Sequence, residues 1–111
     1  MSLENTLLAE NIVMSSPATL YTDFKKAGGY HLNESFHTYV YQVENFTGTI
    51  NLQGTLELYP GEIDWVNVEG TEFQGSGITE SSHGNFSANF VWLRAAYQLD
   101  AGNISQIRYS F

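Results

Sequence analysis

Thr49-Ile50-Asn51-Leu52-Gln53-Gly54-Thr55-Leu56-Glu57-Leu58 alternates apolar or small residues with polar ones over ten positions. Only an extended strand sends those two sets to opposite faces; a helix would spread both sets around its axis. One face packs on a core and the other meets water, the pattern of an antiparallel sheet rather than of a parallel sheet covered on both sides.

Working outward from this strand, Pro60-Gly61 has the chemistry of a type II turn, with Pro fixing φ at the second turn position and Gly supplying a positive φ at the third. Ile63 to Val68, with Trp65, then predicts the returning strand. On the other side, Asn45-Phe46-Thr47-Gly48 punctuates the chain, and before it Phe36 to Val43 is β-branched and aromatic with Tyr39, Tyr41 and Val43 at period two, a second strand. Gly70 to Gly84, rich in Gly, Ser and Thr, predicts one weak strand around Phe73 or Ile78, closed by a turn at Ser81-Ser82-His83-Gly84. Phe86 to Tyr97 is apolar on both sides of the pleat and predicts a strand covered on both faces. Asp100-Ala101-Gly102-Asn103 reads as a hairpin loop, and Ile104 to Phe111 as the last strand.

Upstream, Ala18 to Phe24 offers a short strand before Gly28-Gly29, and Ser16-Pro17 breaks regularity. Leu3, Leu7 and Leu8 fall on one helical stripe, but a lone helix of about ten residues is marginal without tertiary support. Residues 1–15 therefore read as an N-terminal arm and residues 16–111 as one domain. About seven short strands with turn residues between them predict an all-β fold, an antiparallel β-sandwich of jelly-roll-like type, with a small β-barrel as second choice.

Composition narrows the function. The chain of 111 residues has room for a single core. Charged residues make up 14%, well below the roughly 25% of ordinary domains, and the polar surface is built instead from Ser, Thr, Asn and Gln, which suit strands and turns. Twelve Asp and Glu against four Lys and Arg give a formal net charge of −8, and so few cations do not neutralise a phosphate backbone, which argues against nucleic acid. With no Cys, disulfides, thiolate nucleophiles and Cys-ligated metals are excluded. No apolar run approaches the roughly 18 residues of a membrane helix, and Met1-Ser2-Leu3-Glu4 lacks the basic start of a secretory leader, so cytoplasmic synthesis is expected. Without such a leader, the sequons at Asn33, Asn45, Asn85 and Asn103 are read as turn and strand residues rather than glycosylation sites.

Chemistry-bearing patterns are weak. His31 and His37 with Asn33 and Glu34 match no metal-ligand spacing, and Glu62, Asp64, Glu69 and Glu72 form no calcium loop. No nucleophile elbow or phosphate-cradling glycine motif occurs, and the expectation is a protein that is not an enzyme and uses no cofactor or metal. Aromatics are the remaining resource: Tyr39, Tyr41 and Trp65 are the candidate stacking residues for a glycan, weighed against a role in the core. Arg94 falls on the face of Phe90 and Trp92, where burial would demand a carboxylate or carbonyl partner, making it a candidate structural ion pair.

Gly84 to Phe111, with Gly84-Asn85-Phe86, Trp92, Arg94-Ala95, Ala101-Gly102 and Ile104, Ile107 and Tyr109 in order, resembles the C-terminal strands of small virion structural proteins of contractile-tailed marine cyanophages. The likeness extends to Pro17-Ala18-Thr19-Leu20-Tyr21, Asn45 to Ile50, and Leu56, Pro60, Asp64 and Trp65, and so covers most of the chain from residue 17. It implies a β-rich particle component of neck, tail or fibre, located in the virion, with no active-site residues to carry over. The Leu-rich N-terminus and the Tyr39-Val40-Tyr41 strand depart from the pattern. The expected function is therefore an assembly module that forms homo-oligomers or docks on other virion proteins, with Leu7, Leu8, Val91, Leu93 and Tyr97 as the association surface. A carbohydrate-binding module at the host-facing end of a fibre is the alternative.

Overall fold

The alternating segment forms, up to Thr55, the last part of a strand far longer than the sequence predicts, and its final three residues lie beyond that strand. In a computed structural model, which describes residues 5–13, 19–27 and 35–110, the chain forms β1 (Asn5–Val13), β2 (Thr19–Tyr21), β3 (Lys25–Lys26), β4 (Ser35–Thr55), β5 (Val66–Asn67), β6 (Phe73–Ala88) and β7 (Trp92–Ser110). All pairings are antiparallel, in one open sheet of seven strands. β4 is central, with β7 along one edge and β6 followed by β5 along the other. The outer edge of β7 is shared by β1, β2 and β3. The all-β expectation holds.

The connection from β6 to β7 reveals how the sheet is folded. β6 ends with Ala88 opposite Ser35, at one end of β4, whereas β7 begins with Trp92 opposite Thr55, at the other end. Four residue steps reach at most about 14 Å, and a straight strand of 21 residues would run about 70 Å, yet the longest dimension of the molecule is 39 Å. β4 must therefore double back, and the single sheet becomes two packed layers. One layer holds β1, the first half of β4, and the second halves of β6 and β7. The other holds β2, β3, β5, the second half of β4, and the first halves of β6 and β7. The result is sandwich-like, with corners made by strands that pass from one layer to the other through bulges.

The bulges explain why the sequence suggested breaks. In β4 the register shifts around Glu44 to Gly48, where Asn45 has φ 50° and Gly48 φ 147°. Tyr39, Tyr41 and Val43 point inward before the bulge, and Phe46, Ile50 and Leu52 after it, so the inserted residues change the parity and keep both halves on one core. The Asn45–Gly48 punctuation is thus a corner within one strand. Asp100–Asn103 likewise closes no hairpin: it is the matching irregularity in β7, with Gly102 at φ 76° against the backbone of Glu44 and Asn45. The Ser81–Gly84 turn and the single weak strand of residues 70–84 are replaced by the 16 continuous residues of β6, and Phe86 to Tyr97 is split by the crossover at residues 89–91.

Three further expectations are corrected. The described part of the expected arm is a strand of the sheet: β1 pairs with the last strand from Asn5 opposite Ser110 to Val13 opposite Asn103. Gly61 has φ −94°, so Pro60-Gly61 makes no type II turn and leads into a single 3₁₀ turn, Glu62–Asp64. The returning strand shrinks to Val66–Asn67. The expectations placed on Leu3, Ser16-Pro17, Gly28-Gly29, His31, Asn33 and Glu34 lie outside the described residues.

Polar contacts between the layers lock the core. The Tyr39 hydroxyl donates to the Gly70 carbonyl and the Tyr41 hydroxyl to the Thr71 carbonyl, each at 3.0 Å, while Tyr109 donates to the Lys26 carbonyl. Burial holds the Tyr41 phenol well above its ordinary pKa, reinforced by Tyr39 and Glu72 and opposed by the side-chain hydroxyl of Thr71. Thr71, fully buried, fills the gap on the edge of β4 between β6 and β5: its hydroxyl donates to the Val68 carbonyl at 2.7 Å and accepts the Leu52 N–H at 3.0 Å. Every buried side-chain polar atom among the described residues has a partner.

Candidate interaction site

The outer face of the second layer carries a strap. After Thr55 the chain leaves the sheet and folds back over that face before re-entering at β5. The Glu57 N–H on the Thr55 hydroxyl (3.2 Å) and the Trp92 indole N–H donating to the Leu58 carbonyl (2.9 Å) fasten its start. The 3₁₀ turn is closed by the Gly61 N–H on the Asp64 carboxylate at 2.6 Å, and Trp65 ends the strap against Phe24, whose ring also meets Trp92 edge-on with centroids 5.1 Å apart.

Arg94 ties the strap to the sheet. Its guanidinium carbon lies 4.0 Å from the centroid of Tyr21 in β2 and 4.4 Å from that of Trp65. Its Nε–H donates to the Gln53 side-chain oxygen at 2.8 Å. The Gln53 amide nitrogen in turn donates to the Asn67 oxygen, which also accepts from Asn51, both at 3.0 Å. Burial pulls the Arg94 pKa down from its ordinary value, opposed by Tyr21 and Glu62. The partner is a carbonyl oxygen, that of the Gln53 side-chain amide, rather than the carboxylate of an ion pair, and two π faces complete the setting, an arrangement a planar guanidinium accepts and an ammonium does not. Arg94→Lys should therefore lower stability by about 1–2 kcal/mol, with tryptophan emission shifted to the red as the strap loosens. Urea titration followed by fluorescence measures both.

The strap also accounts for the doubly apolar strand. Leu93 and Tyr97 face the core at 0% and 9% exposure, and Leu8, on β1 in the other layer, is buried at 7%, so these three form no association surface. Trp92, Arg94 and Ala96 face outward beneath the strap and β2. Val91, half-buried in the crossover, donates its N–H to the Thr55 carbonyl, and only Leu7 of the five expected contact residues is exposed. Tyr39 and Tyr41 are core residues with their hydroxyls engaged, so neither can stack on a glycan; Trp65 alone of that set reaches the surface.

What the sequence did not single out is the outside of this region. Of ten exposed large apolar side chains among the described residues, eight come from two touching segments: Leu20, Tyr21 and Phe24 on one side, Leu56, Leu58, Tyr59, Ile63 and Val66 on the other. Tyr59 and Ile63 are 90% and 95% exposed. The continued alternation of Leu56 and Leu58 disguised them as core positions of a strand that ends at Thr55. Glu57, Glu62 and Asp64 are interspersed with them. His37 is buried and stacked on Phe86, His83 lies on the outer face of β6, and no group of three or more His, Asp or Glu able to hold a metal is found among the described residues.

No protein-family model matches the chain, and a search of curated proteins finds none that is significantly similar to it.

Proposed function

We propose that the chain is a non-enzymatic assembly module that associates with copies of itself, and docks on other virion proteins, through the apolar surface around residues 20–24 and 56–66. The observation that carries this reading is the gathering of eight exposed large apolar side chains into one region of a small domain; such patches on soluble chains mark interaction sites. The groups around them are amides, the Asp64 carboxylate held by the Gly61 N–H, and one stacked guanidinium, which is the chemistry of binding rather than of bond making. The resemblance to small cyanophage structural proteins supplies the particle context.

A second reading, a carbohydrate-binding module, draws on Tyr21 and Trp65 beside the Arg94–Gln53–Asn67–Asn51 chain, where aromatic faces adjoin planar hydrogen-bonding groups.

Light scattering across a concentration series tests the first reading. The wild-type chain is expected to exceed its monomer mass of 12.4 kDa, increasingly so as salt screens the acids of the strap. A double Tyr59→Ser, Ile63→Ser variant should remain monomeric with unchanged melting temperature. A wild-type chain that stays monomeric at millimolar concentration in high salt overturns self-association, and a glycan array then discriminates the second reading.

A further inference from the structure

Only four residues of this acidic chain are Lys or Arg, and one of them stands half-buried on the outer face of the first layer. Lys25 and Lys26 are exposed on the short edge strand β3, and Arg94 is held by the strap. Arg108 instead projects, half-buried, from the outer face of the first layer, on an interior stretch of β7 with Leu7 of β1 on one side and Val40 of β4 on the other. No hydrogen bond or ion pair engages its guanidinium among the described residues, and the acid nearest in register on that face, Glu10, lies one row away opposite Gln106.

Arg108 lines a shallow pocket of about 240 Å³ with Thr38, Val40, Tyr109 and Ser110. The space is smaller than the ~300–1,000 Å³ of drug-sized sites, so it takes one small group and not an extended ligand. Its chemistry is two-sided. The free fork of guanidinium N–H groups matches a carboxylate. The Thr38 hydroxyl spends its proton on the Asn85 side-chain oxygen at 2.8 Å, which leaves lone pairs that want an O–H donor from the ligand. A simple anion satisfies the first requirement and not the second, and a neutral sugar the second and not the first. We infer that this pocket binds a carboxylated monosaccharide unit, its carboxylate on Arg108, a ring hydroxyl on Thr38 and a C–H face against Val40. It is distinct from the apolar surface of the strap, on the other layer, and does not depend on it.

Titration of the ¹⁵N-labelled chain with glucuronate, glucose, acetate and sulfate in separate arms tests this. Glucuronate should give saturable shifts at the amides around Thr38 and Arg108, glucose none there, and acetate and sulfate several-fold weaker binding. Arg108→Gln should weaken glucuronate about tenfold or more, and Thr38→Val should erase its advantage over acetate. If Arg108→Gln disturbs the fold, as its own spectrum would report, Arg108→Lys keeps the charge without the fork and should still weaken binding several-fold. No saturable shift up to about 50 mM, equal binding of acetate or sulfate, equal binding of glucose, or unchanged affinity in the Arg108 variant would each overturn the inference.

Discussion

Gly48→Ala is expected to be, with Gly102→Ala, among the most damaging single-methyl changes at the described residues. A Cβ at this position would overlap the carbonyl oxygen of Gln98 on β7, and the neighbouring Phe46 ring is at 3.3 Å. The obstacle is backbone, so relief requires β4 and β7 to separate at the corner where both turn from one layer into the other. The φ of 147° adds a conformation that L side chains rarely adopt. Together these should cost about 3–5 kcal/mol, a large part of the roughly 5–15 kcal/mol that holds a domain folded. Urea titration with circular dichroism reads the loss. Gly70→Ala is the control: its φ is 86° but nothing lies within 4 Å of an added Cβ, so it should show the backbone strain alone, about 1 kcal/mol. Equal losses in the two variants would mean that the corner contact contributes nothing.

Thr71→Val should be the most costly near-isosteric change. The fully buried hydroxyl takes over at the point where the outer edge of β4 passes from β6 to β5: the Leu52 carbonyl accepts the Val68 N–H, but the Leu52 N–H has the Thr71 hydroxyl in place of a backbone acceptor. Valine has the same shape but leaves the Leu52 N–H unsatisfied and removes the strong donor to the Val68 carbonyl. The expected loss is about 2–4 kcal/mol. Thr71→Ser keeps both hydrogen bonds and should cost only about 1 kcal/mol for the buried methyl. Denaturation midpoints of the two variants, compared at equal m-value, provide the check; a serine variant as unstable as the valine one would shift the explanation from hydrogen bonding to packing.

Strand character was legible because period-two alternation depends only on neighbours in sequence: Tyr39 to Val43 and Ile50 to Leu52 are strand and core as read. Continuity was not legible. Asn45 and Gly48, or Ala101 and Gly102, have the same composition whether they end a strand or bend it, and the difference is decided by pairing with residues more than 40 positions away. β1 was misread for the same reason, since Leu7 and Leu8 suit a helix stripe as well as a bulged strand, and only the partner at Arg108 and Ile107 selects the strand. For the site, Trp65 and Arg94 were visible as residues that needed partners, but the partners Tyr21 and Gln53 come from elements brought together by the layer fold. The exposed Tyr59 and Ile63 were hidden because an apolar residue in a sequence window is counted toward the core until a structure shows that the strand has already ended.

The pairing of β1 with β7 also bears on how the molecule comes into being. The first described strand has its only described partner in the last, Asn5 against Ser110, so more than 100 residues separate the ends that must meet. On a ribosome, β1 must wait, with its apolar side chains uncovered, until β7 has been synthesised and has emerged. Neither layer can be finished ahead of the other, because β4, β6 and β7 each run through both. A polypeptide truncated before β7 retains the pairing of β4 with β6 but can complete neither layer.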